Sequence, residues 1–269
     1  MPPTADDARR KPPGRLMCMA TGILRGFVAM AVPLALWRLA LPLTGWAALA
    51  LLPLGIAIWW GIYLPLRDRR RAELAVAILP GARLGRWLTG RFGAGLNATL
   101  GLLVALPVLG WLALGGQAPV IMAVAAVGLM AGILSTLTTR LLSTTLTDPY
   151  ARLAGQRIGS VVAALAGLVP LVWINWAVIP IPNEITSASL ADAVSAALAA
   201  RPARDGWPAE VMGLFAALDT AKLWLAAQYR RTVWVGLVFS IDAALVSFVA
   251  ARSSVAVLEF TRSITGSRA

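Results

Sequence analysis

Histidine is absent from this sequence of 269 residues, and Cys18 is its only cysteine. A single cysteine cannot close an intramolecular disulfide, and zinc sites built from cysteine and histidine are excluded. Haem and iron–sulfur clusters held by their usual ligands are disfavoured for the same reason. We therefore predict no metal ligands and no cofactor, and acid–base chemistry would have to use carboxylates, tyrosine or arginine.

Charged residues are also scarce. They make up 13% of the chain, whereas soluble domains carry about 25%. Hydrophobic residues make up 59%, and the mean hydropathy is +0.76. A chain this apolar has too little polar surface to cover a core in water, so the sequence predicts an integral membrane protein whose surroundings are the lipid bilayer.

The net charge of +12 is also found in nucleic-acid-binding proteins, which carry a basic face on a folded soluble domain. Here the charge sits in short runs beside apolar segments, which indicates membrane topology and no nucleic-acid partner. Among 24 basic residues only Lys11 and Lys222 are lysine. The excess of arginine and alanine is typical of a GC-rich bacterial genome, so the predicted location is a bacterial inner (cytoplasmic) membrane, crossed several times.

Aromatic residues run directly into arginines at one point of the chain, where Trp59, Trp60 and Tyr63 are followed by four basic side chains. These are Arg67, Arg69, Arg70 and Arg71. Aromatic rings prefer the headgroup level, and arginines prefer the anionic cytoplasmic surface. We interpret the four arginines as topology determinants that fix the inner end of a membrane span.

Six apolar segments are long enough to cross a bilayer. They cover residues 16–36, 44–66, 94–114, 119–139, 158–179 and 233–251. The predicted fold is therefore all-α, a polytopic helical membrane protein of about six transmembrane helices. The first segment is the weakest, because Arg25 and Arg38 leave only a short apolar run between them. A re-entrant or surface helix within residues 16–43 would leave five crossings or four.

The predicted organisation has five parts. They are a disordered basic N-terminus (1–15), helices one to five with a basic cytoplasmic connector at 67–93 (16–180), an extracytoplasmic helical insertion (181–232), the sixth span (233–252) and a cytoplasmic tail (253–269). With the N-terminus inside, the inner segments hold most of the basic residues, which predicts that both termini are cytoplasmic.

The insertion reads as two amphipathic helices. Ser189 and Asp192 are spaced to cap the first, and the second begins near Pro208. Its aromatic residues, Phe215 and Trp224 among them, would cover the mouth of the bundle or dock another protein. A helix lying on the outer leaflet explains the same residues equally well.

Small residues recur every four positions in three spans. The stripes are Asn97, Gly101 and Ala105; Gly128, Gly132 and Thr136; Gly159, Ala163 and Gly167. Such stripes allow two helix backbones to approach closely. They serve packing within the chain or contacts with other membrane subunits or a second copy.

One acidic residue, Asp242, falls near the centre of the sixth span. A charge at that depth is costly and needs a polar partner. The candidate partners are Asn175, Arg38 and the hydroxyls around Thr136. We name as the hydroxyl cluster the residues Ser135, Thr136, Thr138, Thr139, Ser143, Thr144, Thr145 and Thr147. The site either fixes helix register through a hydrogen-bonded aspartate or handles an ion. The hydroxyl cluster itself marks a solvated helix end or lines a polar path.

No catalytic motif is present: the sequence contains no nucleophile elbow, no phosphate-binding loop and no helical zinc motif. We therefore predict no catalytic residues and no enzyme. The favoured hypothesis is a non-enzymatic subunit of a larger envelope assembly, such as a secretion or conjugation apparatus. The alternative is a small-solute transporter or channel that uses Asp242 and the hydroxyl-rich fourth span.

Overall fold

The computed structural model describes residues 15–77, 91–148, 150–178, 183–199, 207–229 and 232–265, and these ranges contain helices and turns without strands. The helices are α1 (Arg15–Ala40), a 3-10 helix (Gly45–Leu51), α2 (Leu52–Ala77), α3 (Arg91–Gly115), α4 (Ala118–Leu142), α5 (Tyr150–Trp173) with a π-helical turn (Ile174–Val178), α6 (Asn183–Ser187), α7 (Leu190–Ala199), α8 (Trp207–Tyr229) and α9 (Val233–Thr265). The all-α prediction is confirmed.

Six helical segments are long and apolar enough to span a membrane. They are Ala20–Ala40, Trp46–Leu74, Arg91–Gly115, Ala118–Leu142, Tyr150–Ala177 and Val233–Thr265. Each exceeds the roughly 20 residues that a hydrocarbon core requires. Large apolar side chains such as Leu103, Val169 and Ile241 are exposed on the outer faces of these helices, where lipid would cover them. The chain is a multi-pass helical membrane protein.

Two apolar cores share α9. One core joins α1, α2, α3 and α8 and receives Val249 and Val257 from α9. The other joins α4 and α5 and receives Ala243, Ala250 and Ala251 from the same helix. Because α9 has buried side chains facing both cores, it occupies the centre of the bundle.

Small residues let α9, α4 and α5 approach closely. A Cβ on Gly159 of α5 would overlap the backbone nitrogen of Ser135 in α4, and one on Gly167 would overlap the side chain of Val127. At Gly61 of α2, it would overlap a carbonyl oxygen of α9. The small-residue stripes predicted for spans four and five thus pack within the chain. In span three the stripe is shifted, since Asn97 is exposed while Ala94 and Ala98 are buried.

Several predicted boundaries differ from the helix ends. The helix of the sixth span does not end near residue 252 but continues to Thr265, because its buried face extends through Val255, Leu258 and Glu259. The predicted connector 67–93 begins inside α2, which continues to Ala77. Arg69 pairs with Glu73 one turn later, at 2.5 Å, and such pairs support a helix in water. The predicted N-terminal segment 1–15 lies outside the described residues except for Arg15.

The aromatic residues of α2 stack beside its arginines. The ring centroids of Trp59 and Tyr63 are 4.8 Å apart, and the Arg67 guanidinium lies 5.7 Å from the Tyr63 centroid. Arg67 also pairs with Asp68 at 2.9 Å, and Arg70 packs against Gly93 of α3. The order of aromatic and basic residues fits a membrane interface, while the topology role of these arginines stays a prediction.

The bundle has two chemically different ends. The arginine end contains the arginines of α2 and the ends of α4 and α9, where Arg140 and Arg262 lie. The insertion end contains α6, α7 and α8, the end of α3, the start of α4 and the start of α9. The arginine bias predicts that the arginine end faces the cytoplasm.

Two matched serines test this orientation. Ser195 in α7 and Ser263 in α9 are both exposed, and each hydroxyl bonds to a carbonyl of its own helix, so a cysteine is a small change at either position. In a Cys18→Ser background, Ser195→Cys should react with a membrane-impermeant maleimide added to intact spheroplasts. Ser263→Cys should react only after permeabilisation. The reverse pattern would contradict the predicted orientation.

Candidate functional site

A cavity of about 130 Å³ lies at the insertion end, between the ends of α3 and α5, the starts of α4 and α9, and the middle of α8. Its polar wall consists of Gln117, Asn175, Asp219, Lys222 and Asp242. Its apolar wall includes Trp111, Leu171 and Phe239. It is the point in the described ranges where charged side chains from a membrane span and from the insertion meet.

Lys222 holds the two carboxylates of this cavity together. Its Nζ lies 2.8 Å from Oδ2 of Asp242 and 2.7 Å from Oδ1 of Asp219. The Lys222 side chain is only 15% exposed, against 34% for Asp242 and 40% for Asp219. The ammonium also lies 5.4 Å from the centroid of the Phe239 ring, within cation–π distance. Two carboxylates and one ammonium leave the cavity with one negative charge.

Burial and the two neighbouring carboxylates change the pKa of Lys222 in opposite directions. Burial lowers the pKa of Lys222, but the adjacent charges and hydrogen bonds of Asp219 and Asp242 outweigh it and raise the pKa above its ordinary value. The side chain is therefore cationic at neutral pH and serves as an ion-pair partner.

Helix α8 reaches this position because its apolar residues dock on the bundle. Met212 is buried in the core shared by α1, α2 and α3, and the Phe215 ring stacks on Trp111 with centroids 6.4 Å apart. Of the three interpretations of the aromatic stripe, Phe215 thus fits the one in which it covers the end of the bundle. The predicted start of this helix near Pro208 agrees with α8 beginning at Trp207.

The short helices α6 and α7 brace α8 from the other side. Trp224 Nε1 donates to the Ala188 carbonyl at 2.9 Å, and Gln228 Nε2 donates to the Thr186 carbonyl at 3.0 Å. The predicted cap of α7 is present, since the Asp192 N–H donates to Ser189 Oγ at 3.2 Å. These contacts hold α8, and with it Lys222, in a fixed position beside the bundle.

Two of the four predicted site residues meet and two do not. Asp242 and Asn175 line the same cavity, and the π-helical turn at the end of α5 carries Asn175. Thr136 lies near the opposite end, since it follows Gln117, the N-cap of α4, by 19 positions, or roughly 28 Å of helix. Arg38 borders a separate apolar cavity of about 270 Å³ between α1, α3 and α4.

The structure thus does not place Thr136 or Arg38 beside Asp242, whose ion-pair partner is Lys222. Lys222 was missed because residues 181–232 were assigned to an outer insertion, and periodicity does not show where such a helix docks. The sequence does contain a signal that marks Lys222 itself, although not its pairing with Asp242. Lys222 is one of two lysines, stands in a largely apolar helix, and follows Asp219 by three residues, which places both on one helix face.

The hydroxyl cluster does not line the cavity. Thr136 Oγ1 donates to the Gly132 carbonyl and Thr139 Oγ1 to the Ser135 carbonyl, both at 2.7 Å. Ser143, Thr144 and Thr145 likewise donate to carbonyls of their own helix end. These bonds match the interpretation of a helix end whose hydroxyls satisfy backbone carbonyls.

Within the described residues, no group of three histidine, cysteine, aspartate or glutamate side chains is arranged to hold a metal ion. The candidate site is instead an ion-paired cavity built by three charged residues and two amides. No family model, curated protein or solved structure matches this chain, so its function has to be inferred from the site itself.

Proposed function

We propose that this protein is a membrane transporter that binds a small cation in the cavity around Asp242. The observation that supports the proposal is the sharing of one ammonium by two carboxylates, Asp219 and Asp242, where α8 packs against the membrane-spanning helix α9. Ionisable residues in membrane spans commonly mark ion or proton pathways. The proposal keeps the transport hypothesis but replaces the hydroxyl cluster with Lys222 and Asp219.

The charge and size of the cavity define the ligand class. With one net negative charge, the cavity favours a cation, which would compete with the Lys222 ammonium for Asp242. Its volume of about 130 Å³ corresponds to roughly four water molecules at about 30 Å³ each. A proton, a partly hydrated monovalent cation or a small amine fits this space, while a phospholipid or a peptide does not.

Close packing below the cavity favours a carrier over an open pore. Ala243, the residue after Asp242, is fully buried. One turn further, Ser247 Oγ donates to the Ala164 carbonyl at 2.7 Å, and Gly167 leaves no room for a side chain between α5, α4 and α9. A cation could pass this level only if the helices moved apart. Because Lys222 belongs to α8, displacement of its ammonium would loosen α8 from α9.

The hypothesis of a non-enzymatic subunit of an envelope assembly stays a prediction. It rests on the few charges within the spans, the lack of a catalytic motif and small-residue faces suited to partner helices. The small-residue faces of spans four and five are occupied within the chain. We propose a bacterial inner membrane as the location, with the arginine end cytoplasmic, from the composition and the arginine bias.

Flux measurements on proteoliposomes test the proposal. The purified protein should accelerate proton or monovalent-cation flux driven by an imposed gradient, detected with entrapped pH-sensitive or cation-sensitive dyes. Asp242→Asn keeps the shape of the side chain and removes its charge, so we expect flux to fall about tenfold or more. Asp148→Asn is the matched control, because Asp148 is highly exposed and lies at the arginine end; it should leave flux unchanged. Equal flux with and without the protein would refute the proposal.

A further inference from the structure

Three arginines from three helices converge at the arginine end. We name Arg140 of α4, Arg152 of α5 and Arg262 of α9 the arginine cluster. Arg262 Nη2 donates to Thr136 Oγ1 at 2.7 Å, and Thr136 precedes Arg140 by one turn on the same face of α4. Arg152 Nη1 lies 3.2 Å from Glu259 Oε1, and Glu259 precedes Arg262 by three residues on α9. Arg152 and Arg262 therefore lie at one junction of α4, α5 and α9, and Arg140 lies one helical turn from the Thr136 hydroxyl that Arg262 contacts.

The acidic residues nearby neutralise this cluster only in part, because two carboxylates face three arginines. Glu259 is buried and pairs with Arg152. Asp148 lies 4.0 Å from Arg152, but it is mostly solvent-exposed, so its attraction is screened. In the part of the chain that the structure describes, Arg140 and Arg262 make no ion pair with a carboxylate. Among the charges that act on Arg262, the attraction of Glu259 is the largest, and the repulsion of Arg152 and Arg140 opposes it.

A role in fixing membrane topology does not by itself explain this arrangement of arginines. An arginine that only fixes topology can extend into water, as the exposed Arg69 does beside Glu73. Arg262 is half-buried and held by a hydroxyl from a neighbouring helix. Placing like charges together at a half-buried helix junction is unfavourable. Glu259 offsets part of this repulsion, and a further anion would offset the positive charge that remains.

Apolar side chains next to the cluster indicate the kind of anion. Leu141 is 72% exposed and adjoins Arg140, while Ile264 is 67% exposed and lies two residues after Arg262. Leu137, one turn before Leu141 on α4, is also exposed. The cluster thus sits above a lipid-facing apolar surface, where an anionic group attached to acyl chains would make both kinds of contact.

We propose that the arginine cluster binds the phosphate of an anionic phospholipid in the leaflet at that end. Guanidinium groups bind phosphate oxygens in a bidentate manner and are weakly hydrated, so they suit a half-buried phosphate site. Basic pockets between transmembrane helices on the cytoplasmic side are suited to anionic headgroups. This site is separate from the cavity at the insertion end, and its occupation would link α4 to α9 through a shared anion.

Native mass spectrometry and thermal unfolding in detergent test the proposal. The full chain is titrated with phosphatidylglycerol or cardiolipin, with phosphatidylcholine, and with inorganic phosphate. We expect lipid to be retained, and the unfolding temperature to rise, with phosphatidylglycerol or cardiolipin but not with phosphatidylcholine or inorganic phosphate. The key variant is Arg140→Gln, because Arg140 is exposed and its loss leaves Glu259 and Arg152 paired. Its affinity for anionic lipid should fall about fivefold or more.

Arg69→Gln is the matched control, because Arg69 is an exposed arginine on the same side of the bundle. It should keep wild-type lipid affinity. Equal retention of phosphatidylcholine and anionic lipid would overturn the proposal. So would an equal effect of inorganic phosphate, which would make the ligand a free anion, and an equal loss in Arg69→Gln, which would indicate surface charge alone.

Discussion

Gly159→Ala is expected to lower the unfolding temperature more than an alanine at a glycine with open surroundings. The new Cβ would overlap the backbone nitrogen of Ser135, which cannot rotate away as a side chain can. Helices α4 and α5 would have to separate along a contact that buries Ala163 and Ser160. Overpacking of this kind costs about 1–3 kcal/mol or more, which for a chain of this size corresponds to a fall of roughly 3–10 °C.

Gly236→Ala supplies the control, because a Cβ there meets nothing within 4 Å. Alanine favours a helix over glycine by about 1 kcal/mol, so this variant should unfold at or slightly above the wild-type temperature. Unfolding is followed by tryptophan fluorescence in one detergent for all three proteins. If Gly159→Ala and Gly236→Ala unfolded at the same temperature, the close contact of α4 with α5 would be wrong.

Lys222→Met is expected to destabilise the protein more than Asp242→Asn. The methionine leaves Asp219 and Asp242 facing each other without a cation, whereas asparagine leaves Lys222 paired with Asp219. Breaking a fully buried pair costs about 3–5 kcal/mol, and the exposure of both carboxylates should reduce the effect to about 1–3 kcal/mol. Thermal unfolding measures the loss, and limited proteolysis shows whether α8 has become accessible.

The double variant tests whether the two charges interact. Adding Asp242→Asn to Lys222→Met removes one of the two unpaired carboxylates, so it should restore part of the lost stability. Further destabilisation by the second change would exclude the proposed pairing.

The raised pKa of Lys222 also predicts how the stability of the protein depends on pH. The ion pairs of Lys222 stabilise the folded protein fully below the pKa of an unfolded lysine, about 10.4. This stabilisation is lost as the pH rises through the higher pKa of Lys222 in the folded protein.

Sequence patterns sufficed for the membrane spans, because a bilayer imposes a length and an apolar composition that each helix satisfies on its own. Residue Asp242 was also found from the sequence, since a charge within an apolar run stands out without knowledge of the neighbours. The predicted positions of the helix ends were less accurate. Arginines continue a helix as readily as they end a membrane span, so α2 passes Arg67 without interruption.

The partner of Asp242 could not be predicted from spacing along the chain. It depends on where α8 docks, and that position is set by the fit of Met212 and Phe215 against residues of α1, α2 and α3. The same holds for Arg262 and Thr136, which are far apart in sequence and meet only because α4 and α9 pack together. Both sites are products of tertiary packing between segments that look independent in sequence.

The central position of α9 has a consequence for biogenesis. Every other described helix precedes α9 in the chain, so α1 to α8 emerge from the ribosome before the helix that both cores require. Until α9 inserts, Gly61 lacks the backbone of Ala256 against which it packs, and Gly167 lacks its neighbour Ser247. The two cores would therefore be completed in a late step of insertion, when α9 packs between the helices that precede it.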